Sequence, residues 1–471
     1  MMSRASTLLV LLLMATVLPA RAQEADDGPT EVQVAFDSLR VRVIDGRTVA
    51  EWLRPVLQQE DFRLRANNGY DEGNGFIRFW GDVVITEEED TIRAERVRYQ
   101  REERIGEATG NVRMTDGEVT LLAPFARYFS EEEVTVFEEG VTYQDSASVL
   151  TADWARYLSE ENRAEFSRNV KLTQDDMTLF ADSVLHLRET DESRAWGRIA
   201  ADRFNSTDSV RTLILADSLY RDASKDSVRV AGMARLLQID PAGPDTLILQ
   251  AALIEVPRSG TLIAQDSVAV AASGYAFRAD SLHSIENAAG HTLSSLFGNP
   301  STWVEDTQVV AERMRMVDSG VRDTLRAEGD VFVATPDSLS GRINQLSGQA
   351  LLAIMISDSL RFLDIREQAR AVLFMESEDD GATVGFNGSG DGLRFNFRNG
   401  ELERVAFYTG VEGTYYAEDL LDQLSNLPGF IFSPESRPRR QKLIADFWMV
   451  WFERTARPSS NTFDTSCGQN C

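Results

Sequence analysis

The chain has 471 residues, 43% of them hydrophobic, and its 75 acidic against 48 basic side chains give a formal net charge of −27. A surface this acidic repels phosphate, and the longest basic cluster is Arg437-Pro438-Arg439-Arg440, so nucleic acid is excluded as a general partner. Lysine occurs only at Lys171, Lys225 and Lys442, a bias that reads as solubility and not as a site.

Residues 1–22 read as a cleavable export signal. Arg4 supplies the positive start, Leu8 to Ala15 is an unbroken apolar run, and Ala20-Arg21-Ala22 has the small-x-small cleavage pattern. Cleavage leaves Gln23, which offers no thiol for a lipid anchor; a retained signal anchor is the alternative. No later apolar segment reaches spanning length, and Ala350 to Ile356 suits a buried strand. A closed membrane barrel is disfavoured because many strands carry charge at their apparent outer positions.

From Gly81 the chain repeats itself every 29 residues. Gly81-Asp82-Val83 recurs as Gly110-Asn111-Val112, Glu139-Gly140-Val141 and Arg168-Asn169-Val170, and Ile199 continues the valine column. Two residues on stand Ile85, Met114, Tyr143 and Leu172; then come Ile92, Leu121, Leu150 and Leu179, followed by Ala94, Ala123, Ala152 and Ala181. A fifth column holds Tyr99, Tyr128 and Tyr157, with His186 in the fourth slot and Tyr70 one period earlier. Short β-rich segments separated by charged turns such as Glu87 to Asp90 predict strands, with a third segment, for example Arg104 to Thr109, closing each unit. Such a unit buries its apolar columns only by stacking on its neighbours.

Beyond Ala201 the period loosens. Ala216-Asp217-Ser218-Leu219 and Ala279-Asp280-Ser281-Leu282 echo Ala181-Asp182-Ser183-Val184, and Ser357 to Leu360 does so more weakly. The break at Asp202 to Asp208 is a boundary between two β modules, 31–200 and 201–410, or one longer loop. Glu376 to Asp391 is acidic and Gly-rich, which predicts a turn or linker, and Leu393 to Phe397 with Leu402 to Tyr408 predict a terminal hairpin. The C-terminal extension, 411–471, is expected to be helical at Glu418 to Leu424 and Gln441 to Glu453, with a disordered tail from Thr455. In that tail Cys467 and Cys471 could close a small disulfide loop of little stabilising effect.

Catalysis leaves little trace. The histidines His186, His283 and His291 are scattered, and no HExxH, phosphate-binding Gly loop or Gly-x-Ser-x-Gly elbow occurs. Asn387 to Gly392 could coordinate calcium in principle but reads as a flexible turn. The expectation is therefore a non-enzyme without cofactor or metal. What remains is the stacked apolar columns: either a sealed core or a trough for alkyl chains, with the alanine column giving room. The trough candidates are Val83, Ile85, Ile92, Ala94, Val112, Met114, Leu121, Ala123, Val141, Tyr143, Leu150, Ala152, Val170, Leu172, Leu179 and Ala181.

At these residues the chain resembles the OstA family, the periplasmic lipopolysaccharide-transport proteins that include LptA and the soluble N-terminal part of LptD. The resemblance rests on Gly110-Asn111-Val112-x-Met114, on the Thr-Leu-x-Ala pattern at 120–123 and 178–181, and on Ala152-Asp153-Trp154-Ala155-Arg156-Tyr157. Gly410 to Tyr416 and Gly429-Phe430 to Arg437-Pro438 are similar to the long OstA-like proteins. It implies an all-β fold, an open β-jellyroll of stacked antiparallel strands, with lipopolysaccharide acyl chains in its interior and terminal strands pairing with other transport proteins or with further copies of the chain. The location implied is the periplasm, in association with the outer membrane. The chain is over twice the length of a minimal bridge protein and lacks the residues for an outer-membrane barrel. The alternatives are a structural envelope scaffold with a closed β core and, more remotely, an exported glycan-acting enzyme with facing carboxylates.

Overall fold

A computed structural model describes residues 33–456, apart from short stretches at 45, 60, 74, 207–208, 223, 226, 241–245, 258–260, 338–339, 357–358, 377–381 and 399–400. The export signal, both cysteines and the Ser357-Asp358 echo lie outside the described residues. The fold is all-β: one antiparallel sheet of 32 strands, followed by two 3₁₀ turns and one α-helix, Arg440–Thr455 (α1). The extension is thus helical where the sequence predicts it, at Glu418–Gln423 and Arg440–Thr455.

Most of the 29-residue units hold two long strands, not three short segments; between Val134 and Leu158 the strands are split at the bends into short pieces. The strands Phe76–Glu87 and Asp90–Gln100 pair along their whole length, but the register slips between Trp80 and Val83. Gly81 and Asp82 lie there with φ of 79° and 48°. Two successive left-handed residues turn the strand sharply at a bulge. The same pair recurs at Gly110-Asn111, Glu139-Gly140, Arg168-Asn169 and Gly197-Arg198. It then continues at longer intervals at Gly232-Met233, Asp266-Ser267, Gly298-Asn299, Gly329-Asp330, Glu367-Gln368 and Thr409-Gly410. Glycine is required where the neighbouring strand crowds the bend: a Cβ on Gly110 would lie 2.5 Å from Glu95 Oε2, and one on Gly298 would lie 2.1 Å from Asp280 Oδ2. The Ala-Asp-Ser echoes mark the same device, since Asp182, Asp217 and Asp280 stand against Gly197, Gly232 and Gly298.

The bends fold every strand into two arms that face each other. Phe62 stands beside the Glu87 end of its neighbour, whereas Tyr99 pairs with Ile77 at the other end. A straight strand would hold Ile77 and Glu87 about 33 Å apart. Yet the Phe62 and Tyr99 rings stack with centroids 5.1 Å apart. One arm (the first) carries Val83 to Glu87 and its equivalents; the other (the second) carries Phe76 to Trp80 and its equivalents. Their inner faces form one apolar core running from Leu57 to Phe395.

The ladder crosses residue 200 without a gap, because Glu192–Phe204 and Arg211–Asp222 pair on both sides of a bulge. The Gly-rich stretch is not a turn or linker. It is the interior of the strand Thr383–Arg398, paired on one side with Ser359–Glu376 and on the other with Glu401–Tyr408 and Glu412–Tyr416. Glycine is needed there for packing: Cβ atoms on Gly388 and Gly392 would lie 2.4 Å from the Phe386 ring and 2.2 Å from the Tyr408 ring. The pairing of Thr383–Arg398 with Glu401–Tyr408 is the terminal hairpin that the sequence predicts.

After Tyr416 the chain returns along the outside of the first arm as a strap. Leu427 and Phe430 pack on Phe332 and Val372, the Ser433 N–H donates to Gln308 at 2.7 Å, and α1 buries Phe447 and Trp451 against Leu213, Leu215, Leu237 and Ile248. Arg454 closes the strap by donating to the Ile199 carbonyl at 2.9 Å, beside the bend.

Candidate functional site: the apolar interior and its mouth

The sixteen trough candidates, four columns of the repeat, lie together on the inner face of the first arm. Fifteen are buried, and Leu172 is half-buried against the same core. Val83 faces Ala94, Ile85 faces Ile92, Met114 faces Leu121 and Val112 faces Ala123, so the columns run straight across the sheet. The alanines sit next to the bends, each opposite a valine of the neighbouring strand; Ala94 and Ala123 are each 8% exposed and Ala181 is 0% exposed. The aromatic column belongs to the facing arm: Tyr99, Tyr128 and Tyr157 are buried, and His186 is half-buried opposite Ala164. Tyr70 is the exception. It pairs with Arg78, one residue out of phase with Ile77, and so lies on the outer face.

The arms end in turns, and the line along which those turns face each other is the mouth of the interior. In the first half of the sheet polar bridges close it. Tyr99 donates to Gln59 at 2.7 Å, Ser130 donates to Glu87 at 2.9 Å, and Ser159 donates to Asp90. Arg188 donates to Asp116 at 2.5 Å, to the Tyr157 hydroxyl at 2.8 Å and to Glu118 at 2.9 Å. Glu87, Asp90, Asp116, Glu118, Tyr157, Ser159 and Arg188 line a cleft of about 850 Å³ with Glu88, Glu89, Glu133 and Glu160.

The cleft changes how its acids titrate. Burial raises Glu87 to about 7, against the opposing pull of the Ser130 hydrogen bond and the Arg104 charge. Burial likewise raises Asp90, with the Ser159 hydrogen bond opposing it. Asp116 feels the same burial, but the N–H groups of Val119 and Glu118 together with Arg188 outweigh it and hold the carboxyl below its usual range. Burial raises the hydroxyls of Tyr99 and Tyr157 to about 12 each, so both remain donors at neutral pH.

In the second half the described inner positions nearest the turns mix polar and apolar side chains, Thr212, Gln238 and Leu247 on the first arm and Arg221, Val228 and Val256 on the second. Ile214, Leu236 and Leu247 of the first arm, and Leu219, Val228 and Leu262 of the second, are half-buried against the core at inner positions. Sequence reading missed both kinds of lip. The bridging partners are far apart in the chain, Asp116 and Arg188 by 72 residues, and acidic turns look like ordinary solvated turns. The tyrosine column was their one periodic signal.

Among the described residues no group of three or more His, Cys, Asp or Glu is placed to hold a metal ion, and no helix is long and apolar enough to cross a membrane. No curated protein matches the chain. Residues 36–182 match the family model described as OstA-like protein, over the stretch that carries most of the 29-residue repeat.

Proposed function

We propose that this chain is a periplasmic, non-catalytic carrier of lipopolysaccharide, holding acyl chains between the two arms of its bent sheet on the way to the outer membrane. The observation that carries this reading is the continuous apolar interior, enclosed by two faces of a single sheet and running from Leu57 to Phe395. Each methylene moved from water into such an interior contributes about 0.8 kcal/mol, with no need of directional bonds. The OstA-like match supports the same reading.

The N-terminal edge supports hand-over to a neighbouring transport protein or a second copy. Ser38–Ile44 pairs on one side with Arg47–Leu53, and Leu39, Val41 and Val43 are 51%, 68% and 71% exposed. An exposed apolar edge strand is a template for strand addition.

A second reading, a structural scaffold with a closed core, is favoured by the burial of the repeat columns and by the bridged mouth of the first half. Depletion of the protein in its native cell separates the two. A carrier requires lipopolysaccharide to accumulate at the inner membrane; normal lipopolysaccharide delivery with misassembled outer-membrane proteins supports the scaffold instead.

A further inference from the structure

The C-terminal helix is apolar on two opposite faces, and the sheet uses one of them. Phe447 and Trp451 are buried against Leu213, Leu215, Leu237 and Ile248. On the side turned away from the sheet, Met449 and Phe452 are 67% and 63% exposed. The half-buried Trp448 stacks on Phe452 there, with ring centroids 5.7 Å apart. Lys442, Ala445, Met449 and Phe452 follow one another at intervals of three and four residues, so they form a single stripe along α1. A surface helix packed on one side only carries polar and charged groups on the other.

The charge beside this stripe runs against the rest of the chain. The net charge is −27, yet Arg437, Arg439, Arg440 and Lys442 open the helix with no acid among them. Arg437 is held by the Glu305 carbonyl and Asp306, and Arg440 donates to the Thr246 carbonyl at 3.0 Å. Arg439 and Lys442 are exposed. Further along, Glu453 feels the Arg198 charge of the neighbouring bend. We infer that the outer face of α1 is a membrane-surface anchor: Met449, Phe452 and Trp448 enter the interface of an anionic phospholipid bilayer while Arg439 and Lys442 meet its headgroup phosphates.

Size and composition select a bilayer over a protein partner. With 16 residues, α1 is about 24 Å long and about 10 Å wide, so its outer face offers about 240 Å². Each partner in a stable protein complex buries about 800 Å². Aromatic side chains and Met beside Arg and Lys suit a helix that lies in the headgroup region, and no described helix is long and apolar enough to cross a membrane. The residues that follow the helix, 457–471, contain one large apolar side chain, Phe463, to set against the stripe. Docking of α1 requires no lipid between the arms, so it stands whether or not the interior carries lipopolysaccharide.

Flotation of the full mature chain with phospholipid vesicles, free of lipopolysaccharide, tests the anchor. The vesicles are phosphatidylcholine alone or with about one-third phosphatidylglycerol. The expected result is flotation with the anionic vesicles, several-fold weaker with phosphatidylcholine alone and weaker again as salt is raised. Met449→Ser together with Phe452→Ser should lower binding about ten-fold, and Arg439→Glu together with Lys442→Glu several-fold. All four side chains are exposed, so urea unfolding should match that of the unsubstituted protein. No flotation, equal flotation on both kinds of vesicle, or flotation that the Met449 and Phe452 substitutions leave unchanged overturns the inference. A dimer in sedimentation without vesicles, abolished by those two substitutions, would assign the stripe to a second copy and also overturn it. Phe463→Ser should leave flotation unchanged; a large gain would assign the stripe to the chain's own tail and overturn the anchor.

Discussion

The first and second halves of the sheet share one bent-strand unit and one apolar interior, and differ in where further contacts hold the bend. In the first half the outer face of the first arm carries Arg93, Arg113, Leu122, Thr151 and Lys171 exposed, and hydrogen-bonded bridges lie at the mouth. In the second half the outer face is apolar and strapped, with Leu213 and Ile248 under α1 and Phe332 under Leu427 and Phe430. The same bend can thus be held shut from its open side or braced from behind.

The strap is the place to break this comparison most severely. Phe447 is 0% exposed, and Phe447→Ala should cost about 3–5 kcal/mol through the cavity left under α1. Urea unfolding measures the loss, and hydrogen exchange should place it in residues 199–251, with residues 83–187 unchanged. An equal loss in both halves would mean that the strap does not brace the second half selectively.

Asp364 tests the outer face further along. Its carboxylate is fully buried and accepts from Tyr408 at 2.7 Å, from Arg366 at 2.6 Å and from Arg394 at 3.2 Å. Asp364→Ala should cost about 2–3 kcal/mol, less than a fully interior pair because both guanidinium groups reach solvent. Thermal unfolding reads it.

In the first half Arg188→Ala removes the largest bridge. The expected cost is about 2 kcal/mol, with faster hydrogen exchange at the Tyr157 and Asp116 lips and none at the second-half mouth. If exchange there is unaltered, the bridge does not hold the lips together.

The smallest effect is a pH dependence. Folding raises Glu87 from its ordinary 4.5 to about 7, so the folded state binds the proton more tightly than the unfolded state. The contribution is fully present below about 4.5 and is lost as the pH rises through about 7; solvent screening at this half-exposed site limits it to about 1 kcal/mol. Glu87→Gln should flatten that part of the stability profile between pH 5 and pH 8, as measured by urea titration. An unchanged slope would assign the dependence to Asp90 or another acid.

Much of the fold was legible because the first half repeats at constant spacing: Val83 and Ile85, Ile92 and Ala94 declare two facing strands, and each 29-residue step aligns them. The bends were not legible as bends. Gly110-Asn111 before Val112 looks like a strand start, since the left-handed pair interrupts the apolar alternation. Beyond residue 201 turns of unequal length obscure the period, and the bend tolerates residues as different as Met233 and Gln368. Leu213 and Leu215 read as one more apolar run, because alternation vanishes where a strap covers the second face of a strand. The candidate site was half legible: the interior columns were found, but whether the mouth above them is open depends on side chains that meet across the fold.

Native mass spectrometry of the mature chain with purified lipopolysaccharide tests most directly whether the interior carries lipid. The expected result is a discrete lipid-bound species that releases its lipid when the protein unfolds and is weakened by Leu236→Gln together with Leu262→Gln. A folded protein that stays free of lipid at saturating lipopolysaccharide would contradict the carrier reading.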